Sequence, residues 1–412
     1  MPIERSQGTP WTGAYHISVD TGGTFTDGFV TSGERSAQVK VDTTPYDPTV
    51  GFGVCIAAAA AAMGEELPEF LAKAQMIHFS STIATNVVVQ RQGARLGLIV
   101  TAGQESGLYG SREQAGALTA FVSAGAVRGV AESVDAAGTV VTELDAVELE
   151  VAVRELLEAG VQIVVIAFAN AHLNPANELR AKQIIERSYP RHYLGAIPLI
   201  LSSQVSLADD DHGRTALAVA NAYIHPSLAR SLYRAEDLVR REGFGSPLQI
   251  VSTDGSSTRV AKTKAIDTFS SGPTAGALGA AIVAQALKAE HVVTIDVGGT
   301  TTDVAHITAA TAPRTRTTAF GPAILPHESV DIWSLGLGGG SFITVDPATT
   351  DLRVGPVSAG AIPGPACFGL GGDQPTPTDV WLTLGYLEPG EFLSGRRHLS
   401  LDHARAAIGR LA

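Results

Sequence analysis

The chain is poor in the features that mark several protein classes. Its 412 residues hold two cysteines, Cys55 and Cys367, far apart and outside any C-x-x-C spacing. An iron–sulfur cluster, a zinc ribbon and a disulfide framework are thereby excluded, and a reducing compartment fits. Basic residues are outnumbered, 29 Lys and Arg against 41 Asp and Glu, and the resulting charge of −12 argues against a nucleic-acid partner. No apolar run approaches the ~20 residues that span a bilayer. Ile56 to Met63 is short and Ala-rich, and Met1 to Gly13 is polar with no apolar h-region. The reading is a cytoplasmic protein with no membrane partner. Three familiar chemical motifs are also missing: the Walker loop G-x-x-x-x-G-K-[ST], the dinucleotide turn G-x-G-x-x-G and the nucleophile elbow G-x-S-x-G.

What is abundant is glycine, 44 residues with no collagen period. Around it the sequence reads as α/β. Tyr15 to Val19, Gly28 to Val30 and Ala37 to Val41 are β-type runs separated by turn residues, which predicts an antiparallel meander. Ala57 to Ala62 predicts a buried helix, and Leu96 to Val100 a strand. Asp145 and Glu148 have capping-box spacing ahead of the apolar stripe Leu149, Val153, Leu156 and Leu157, and Gly160 stands where a left-handed stop is wanted. The run Val161 to Phe168 predicts a buried strand, Asn174-Pro175 a helix start, Leu248 to Val251 a further strand, and Ser270 to Pro273 the turn into a small-residue helix. Beyond Phe320 the chain turns Gly/Pro-rich, which implies loops packed on other elements or a subunit interface.

An internal repeat carries the functional reading. Val19-Asp20-Thr21-Gly22-Gly23-Thr24-Phe25-Thr26-Asp27 and Ile295-Asp296-Val297-Gly298-Gly299-Thr300-Thr301-Thr302-Asp303 agree at Asp, Gly, Gly, Thr, Thr and Asp. Both follow an apolar run and precede another, so a duplicated domain is expected, with its two copies facing one cleft. Glycine permits φ > 0 and lets a phosphate approach the main chain, the threonine hydroxyl adds a donor, and an ionised Asp holds Mg²⁺ through water or orients a reacting group. A single such turn reads equally well as an ordinary Gly-Gly hairpin. Two matching copies favour the phosphate chain of a nucleotide gripped from both sides, with Gly22, Gly23, Thr24, Thr26, Gly298, Gly299, Thr300 and Thr301 as contacts. Asp27 and Asp303 brace the loops or reach the metal through water.

These turns resemble the paired phosphate loops of the actin, hexokinase and Hsp70 superfamily. More narrowly, they resemble those of the hydantoinase A, 5-oxoprolinase and acetone/acetophenone carboxylase family. The narrower resemblance rests on Thr82-Ile83-Ala84-Thr85-Asn86 with Gly93-Ala94, Asn174 to Glu178, Arg214-Thr215 with Asn221-Ala222-Tyr223, and Ser271-Gly272-Pro273. It continues through Gly338-Gly339-Gly340-Ser341, the Gly355 to Ala366 segment and Thr378-Asp379, and so runs from about residue 15 onward. It implies an actin-like, ribonuclease H-like α/β fold of duplicated lobes around a nucleotide cleft, with a Gly/Pro-rich insertion. Expected domains are an N-terminal lobe over residues 1–200 and a second, partial lobe over 201–412. It further implies an enzyme that uses ATP and Mg²⁺ to phosphorylate an amide or ketone oxygen, driving either cyclic-amide opening or ketone carboxylation. Asp20 and Asp296 would be the catalytic and metal-holding residues, and a second, hydantoinase B-type subunit the partner. A non-catalytic scaffold subunit and a small-molecule kinase of the superfamily are the rival readings.

The sequence departs from the family pattern in places. Where many members read His-Gly-Thr-Thr, this chain has His78-Phe79-Ser80-Ser81-Thr82, so His78 stands one position early. Asp254-Gly255-Ser256 replaces a frequent Asn-Gly-Gly, and Thr274 ends the Ser-Gly-Pro loop; these changes lean toward the ketone-carboxylase branch. Family members also continue past the pattern at Leu401 to Ala406 to a Gly-Gly-Ala-Gly-Pro adenosine loop, which is expected to lie outside these residues. Among other candidates, His172 and His212 read as structural histidines, Asp209-Asp210-Asp211 as a solvated loop, and Arg214 as an anion contact at a helix start.

Overall fold

The structure is a computed structural model that describes residues 14–411 apart from 34, 45, 107–117, 191, 193–195 and 394. Strands β1 (Tyr15–Thr21), β2 (Phe25–Ser32) and β3 (Arg35–Asp42) form the antiparallel meander read from the sequence. Helix α1 (Pro48–Met63) follows. Asp47 caps its start, Pro48 sets its first φ, and Gly64 ends it in the left-handed region. It lies against the meander so closely that a Cβ on Gly28 would come 2.6 Å from Cys55 Sγ. Strand β4 (Ala74–Ser81) then returns parallel to β1 and leads into α2 (Ile83–Val89).

A second, wholly parallel sheet follows, built from β5 (Leu96–Thr101), β6 (Val127–Val130), β7 (Ile163–Ala167) and β8 (Leu199–Leu201) in the order β8-β7-β5-β6. All five residues of β7 are buried, as a strand covered on both faces requires. The connecting helices are α3 (Ala146–Glu158) and α4 (Ala176–Ser188). Asp145 caps α3 as expected, but Glu148 does not close a capping box: its carboxylate accepts from Ala131 N instead, at 2.7 Å. Helix α5 (Asp211–Arg241) packs on α1 and α2 on one side and on β5 and β7 on the other, joining the two sheets through one apolar core.

After α5 the chain rejoins the first sheet through β9 (Gln249–Val251) and β10 (Ser257–Arg259), giving the order β10-β9-β4-β1-β2-β3. The division expected at residue 200 therefore has strands of the first sheet on both sides of it. Helix α6 (Ser271–Leu287) leads to the second copy of the repeat, the antiparallel strands β11 (His291–Val297) and β12 (Thr302–Thr308), with β13 (Trp333–Leu335) beside β12. The core between α6 and these strands is small, centred on Ala281, Ala305 and Ile307. The Gly/Pro-rich stretch forms the hairpin β14 (Ser341–Val345) and β15 (Leu352–Ser358), then loops, α7 (Pro377–Thr383) and α8 (Leu401–Gly409). These loops pack on other elements. Cys367, Phe368, Leu382 and Leu399 form a third core that receives Phe25 from the first hairpin, and Arg397 donates to Asp42 at 2.7 Å.

Candidate functional site

The two repeats fold into antiparallel hairpins of the same register. Asp20 pairs with Asp27 across the first and Asp296 with Asp303 across the second. Each turn closes with the same bond, Gly22 N to Phe25 O and Gly298 N to Thr301 O, both at 2.9 Å. The turns then meet. A Cβ on Gly23 would lie 3.3 Å from Thr300 Oγ1, and one on Gly299 only 2.0 Å from Thr24 Oγ1. Glycine is needed here for close approach. Of the two reasons the sequence suggested, φ > 0 and close approach to the main chain, the first does not apply: none of Gly22, Gly23, Gly298 and Gly299 is among the residues of positive φ.

The facing turns leave a cluster of polar groups without partners. Among the described residues the N–H groups of Gly23, Thr24, Gly299 and Thr300 have no internal acceptor, and the buried Thr24 hydroxyl has no partner. Unpaired buried donors are costly, and clustered ones are satisfied by an anion. Behind the turns the scaffold is well tied. Thr43 Oγ1 donates to Gly22 O at 2.9 Å, while Gly339 N and Gly340 N donate to Gly298 O and Gly299 O at 2.9 and 2.8 Å. Thr378 Oγ1 secures the latter loop through Gly339 O at 2.7 Å. A Cβ on Gly338 would strike the Gly299 carbonyl carbon at 2.6 Å, so the Gly-rich segment serves as a backing plate for the second turn.

Four carboxylates surround the turns, in three kinds of setting. Asp20 receives Ser80 Oγ at 2.5 Å, and burial raises its pKa above the usual carboxylate value against that bond, with Asp27 and Asp296 pushing the same way. The first turn of α6 also reaches it, since a Cβ on Gly272 would lie 2.9 Å from its Oδ1. Asp27 is held by Lys40 at 2.7 Å. Asp303 accepts from Ser334 and is likewise raised by burial, with Asp296 adding to the rise. Asp296 is exposed and has no side-chain partner among the described residues. Mutual repulsion at desolvated Asp20 is what a cation relieves, and Mg²⁺ suits one or two carboxylates plus phosphate and water. Among the described residues no three of His, Cys, Asp and Glu converge as a self-sufficient metal cage.

Some expected contacts sit elsewhere. Thr26 is fully buried and bonds Thr43 Oγ1 at 3.0 Å, bracing the hairpin from behind. Arg214 is no anion contact: it is completely buried and spends its guanidinium on Phe168 O at 2.9 Å, Ala208 O at 3.0 Å, Ser202, His172 and Asp211. The Asp210–Asp211 stretch caps α5 and pairs with Arg214. In β4 alternation decides the role of each residue: Phe79 packs against Phe52 in the core, ring centroids 4.8 Å apart and tilted by 53°, while His78 and Ser80 face an open cleft of about 740 Å³ shared with Asp20, Asp27 and Lys40. Sequence reasoning singled out the segments that hold Ser80, Gly272 and Gly338 to Gly340 only for their likeness to or departure from a family pattern, gave these residues no role in the site, and missed Thr43 altogether. For Ser80 a further signal was the polar Ser80-Ser81 pair at the carboxyl end of a parallel strand, where sites in α/β sheets gather.

Comparison with known proteins gives a consistent picture. Residues 16–189 match the family described as hydantoinase/oxoprolinase N-terminal region, and residues 214–412 the family described as hydantoinase/oxoprolinase. The chain is 34% identical to the acetophenone carboxylase gamma subunit of Aromatoleum aromaticum, over 95% of this chain and 56% of that one. It is 29% identical to the caprolactamase subunit alpha of Pseudomonas jessenii, over 96% and 58%. It thus spans a little over half the length of these relatives. A nucleotide-free structure of acetone carboxylase superposes with a TM-score of 0.86 at 28% identity, covering 96% of this chain and 58% of that one. The ATP-dependent caprolactamase of Pseudomonas jessenii superposes with a TM-score of 0.75, also at 28% identity, over 95% and 58%. The fold is the actin-like ATPase fold of these neighbours.

Proposed function

Because the chain belongs to the hydantoinase/oxoprolinase family, we propose that it binds ATP between its two glycine turns and transfers the γ-phosphoryl group to an amide or ketone oxygen. The observation that carries this reading is the meeting of the turns, with four unpaired N–H groups and an orphaned Thr24 hydroxyl between Asp20 and Asp296. The N–H groups of Gly23, Thr24, Gly299 and Thr300 would take the phosphate oxygens. Asp20 and Asp296 would hold Mg²⁺ through water, the ion supplying charge neutralisation at the transferring group. Ser80 would fix the Asp20 carboxylate, for which Gly272 leaves room, and Asp303, held by Ser334, would brace the second turn. With ADP as the leaving group, phosphorylation turns an amide into an electrophile that water opens with release of phosphate, or a ketone that gives up an α-proton into an enol phosphate whose carbon attacks CO₂ as water takes the phosphoryl group, so cyclic-amide opening and ketone carboxylation both start from one phosphoryl transfer.

The relatives are named as gamma and alpha subunits, which supports a hetero-oligomer; in our reading a hydantoinase B-type subunit would complete the chemistry. A cytoplasmic setting agrees with two free, buried cysteines and with the absence, among the described residues, of a helix long and apolar enough to cross a membrane.

The test is the double change Asp20→Asn with Asp296→Asn in the assembled enzyme. Substrate-stimulated phosphate release is expected to disappear while the circular dichroism spectrum stays unchanged; undiminished turnover eliminates the assignment. Calorimetric titration with Mg-ATP separates it from the scaffold reading, which requires no nucleotide affinity. A phosphorylated small alcohol or sugar as product would favour the kinase reading.

A further inference from the structure

His78 shares the cleft with Asp20 because of its place in the alternation of β4. Side chains two apart on a strand stand on one face about 6–7 Å from each other. His78 therefore lies one such step from Ser80, whose hydroxyl donates to Asp20 at 2.5 Å. The intervening Phe79 is 1% exposed in the core. A shift of one residue would withdraw the imidazole from the cleft altogether.

Few of the groups that line this cleft can take up a proton. Asp27 is paired with Lys40, Asp20 is held by Ser80, and Lys40 and Arg396 are cations. His78 is half-buried, and among the described residues neither of its ring nitrogens has a hydrogen-bond partner. Other histidines are engaged: His16 with Gln75, His172 with Arg214 and His327 with Asp267. Burial holds the His78 imidazole below its usual pKa, and His16 on β1 pushes the same way, so the ring is neutral near pH 7 and able to accept. Across the cleft, Leu278 and Ile282 of α6 with Phe29 and Val251 supply apolar surface. A ketone suits this division. Its oxygen points to the glycine turns, its hydrocarbon lies on the apolar wall, and the α-carbon between them comes to the imidazole.

We propose that His78 is the base that removes the α-proton of a ketone acceptor. The assignment rests on the phosphoryl-transfer reading. An imidazole nitrogen takes the proton, and the C–H electron pair becomes the C=C bond of the enol. The carbonyl π pair moves to oxygen, which bonds the γ-phosphorus while ADP leaves with the bridging oxygen. Phosphorylation of a cyclic amide oxygen requires no such removal, so His78 marks the acceptor as a ketone bearing an α-hydrogen.

Solvent exchange reads this proton transfer apart from phosphoryl transfer. The assembled enzyme is placed in deuterated water with Mg²⁺, a non-hydrolysable ATP analogue and, in turn, acetophenone, acetone and butanone as probes, and loss of α-protium is followed by NMR. The parent is expected to exchange at least one of these ketones, and His78→Gln to slow that exchange by about 10²-fold or more with the calorimetric affinity for Mg-ATP unchanged. His78→Ala is expected to be slowed as well and to regain part of its rate when free imidazole is added, a rescue that a merely structural histidine does not give. Exchange at the parental rate in His78→Gln overturns the proposal, as does a parent that exchanges none of the three ketones. Release of labelled phosphate from γ-labelled ATP judges the underlying reading separately. Exchange that requires His78 without phosphate release keeps the base and refutes the transfer, whereas phosphate release without exchange does the reverse.

Discussion

Thr24 and Gly299 lie against each other across the two lobes, so that a Cβ on Gly299 would fall 2.0 Å from Thr24 Oγ1. The contact couples the lobes at the point where their unpaired N–H groups converge. Gly299→Ala is expected to force the turns apart, costing about 1–3 kcal/mol as overpacking does, and to weaken Mg-ATP binding. Adding Thr24→Gly should restore the thermal midpoint without restoring nucleotide affinity, because the Thr24 hydroxyl goes with it. Calorimetry and thermal denaturation of both variants check this; an unchanged affinity in Gly299→Ala would refute the role of the contact.

Ser80 stabilises the charged form of a carboxylate that its surroundings disfavour. Asp20 has a folded pKa raised above its unfolded one, so the stability linked to its proton is present at low pH and lost as pH rises through the folded value. Ser80→Ala removes the 2.5 Å bond to Asp20 Oδ1 and raises that pKa further. Its penalty, about 1.5–3 kcal/mol for a bond to a charged group, is expected to be larger at about pH 8 than at about pH 4, because lowering the pH adds the proton to Asp20. Urea unfolding at the two pH values measures the difference, and an equal penalty at both would count against the bond's charge-stabilising role.

Arg214 belongs to the frame. Its fully buried guanidinium is saturated by Phe168 O, Ala208 O, Ser202, His172 and Asp211. Arg214→Met is expected to cost about 3–5 kcal/mol, because it strands several buried acceptors. Chemical denaturation reads the loss. A variant as stable as the parent but weaker in nucleotide binding would return Arg214 to the site.

Neither cysteine is expected to react in the folded protein. Burial pushes the Cys55 thiol up to about 12 and also raises Cys367, with Asp379 adding to the shift, so both stay protonated at physiological pH. A thiol reagent at about pH 8 should label neither site until denaturant is added. Labelling of the native chain at the same rate as the unfolded one would contradict the packing.

The sequence by itself determined the parts whose information is local. Alternation and turn residues specified the β1 to β3 meander, the unbroken apolar run specified β7, Asp145 specified the start of α3, and the matching Asp-x-Gly-Gly-Thr segments specified two equivalent hairpins. Such features depend on residues within a turn or a strand of one another. What only the tertiary structure decided depends on partners brought together from far along the chain. Ser80 meets Asp20 across 60 residues and Gly340 meets the Gly299 carbonyl across the second lobe. Arg214 is buried where its segment alone suggested an anion contact. The two copies of one motif, nearly identical as text, differ most in the neighbours they have: Val19 is sealed beneath α1 and beside β4, whereas Ile295 lies open. Burial is set by what packs against a residue, and no local pattern contains that.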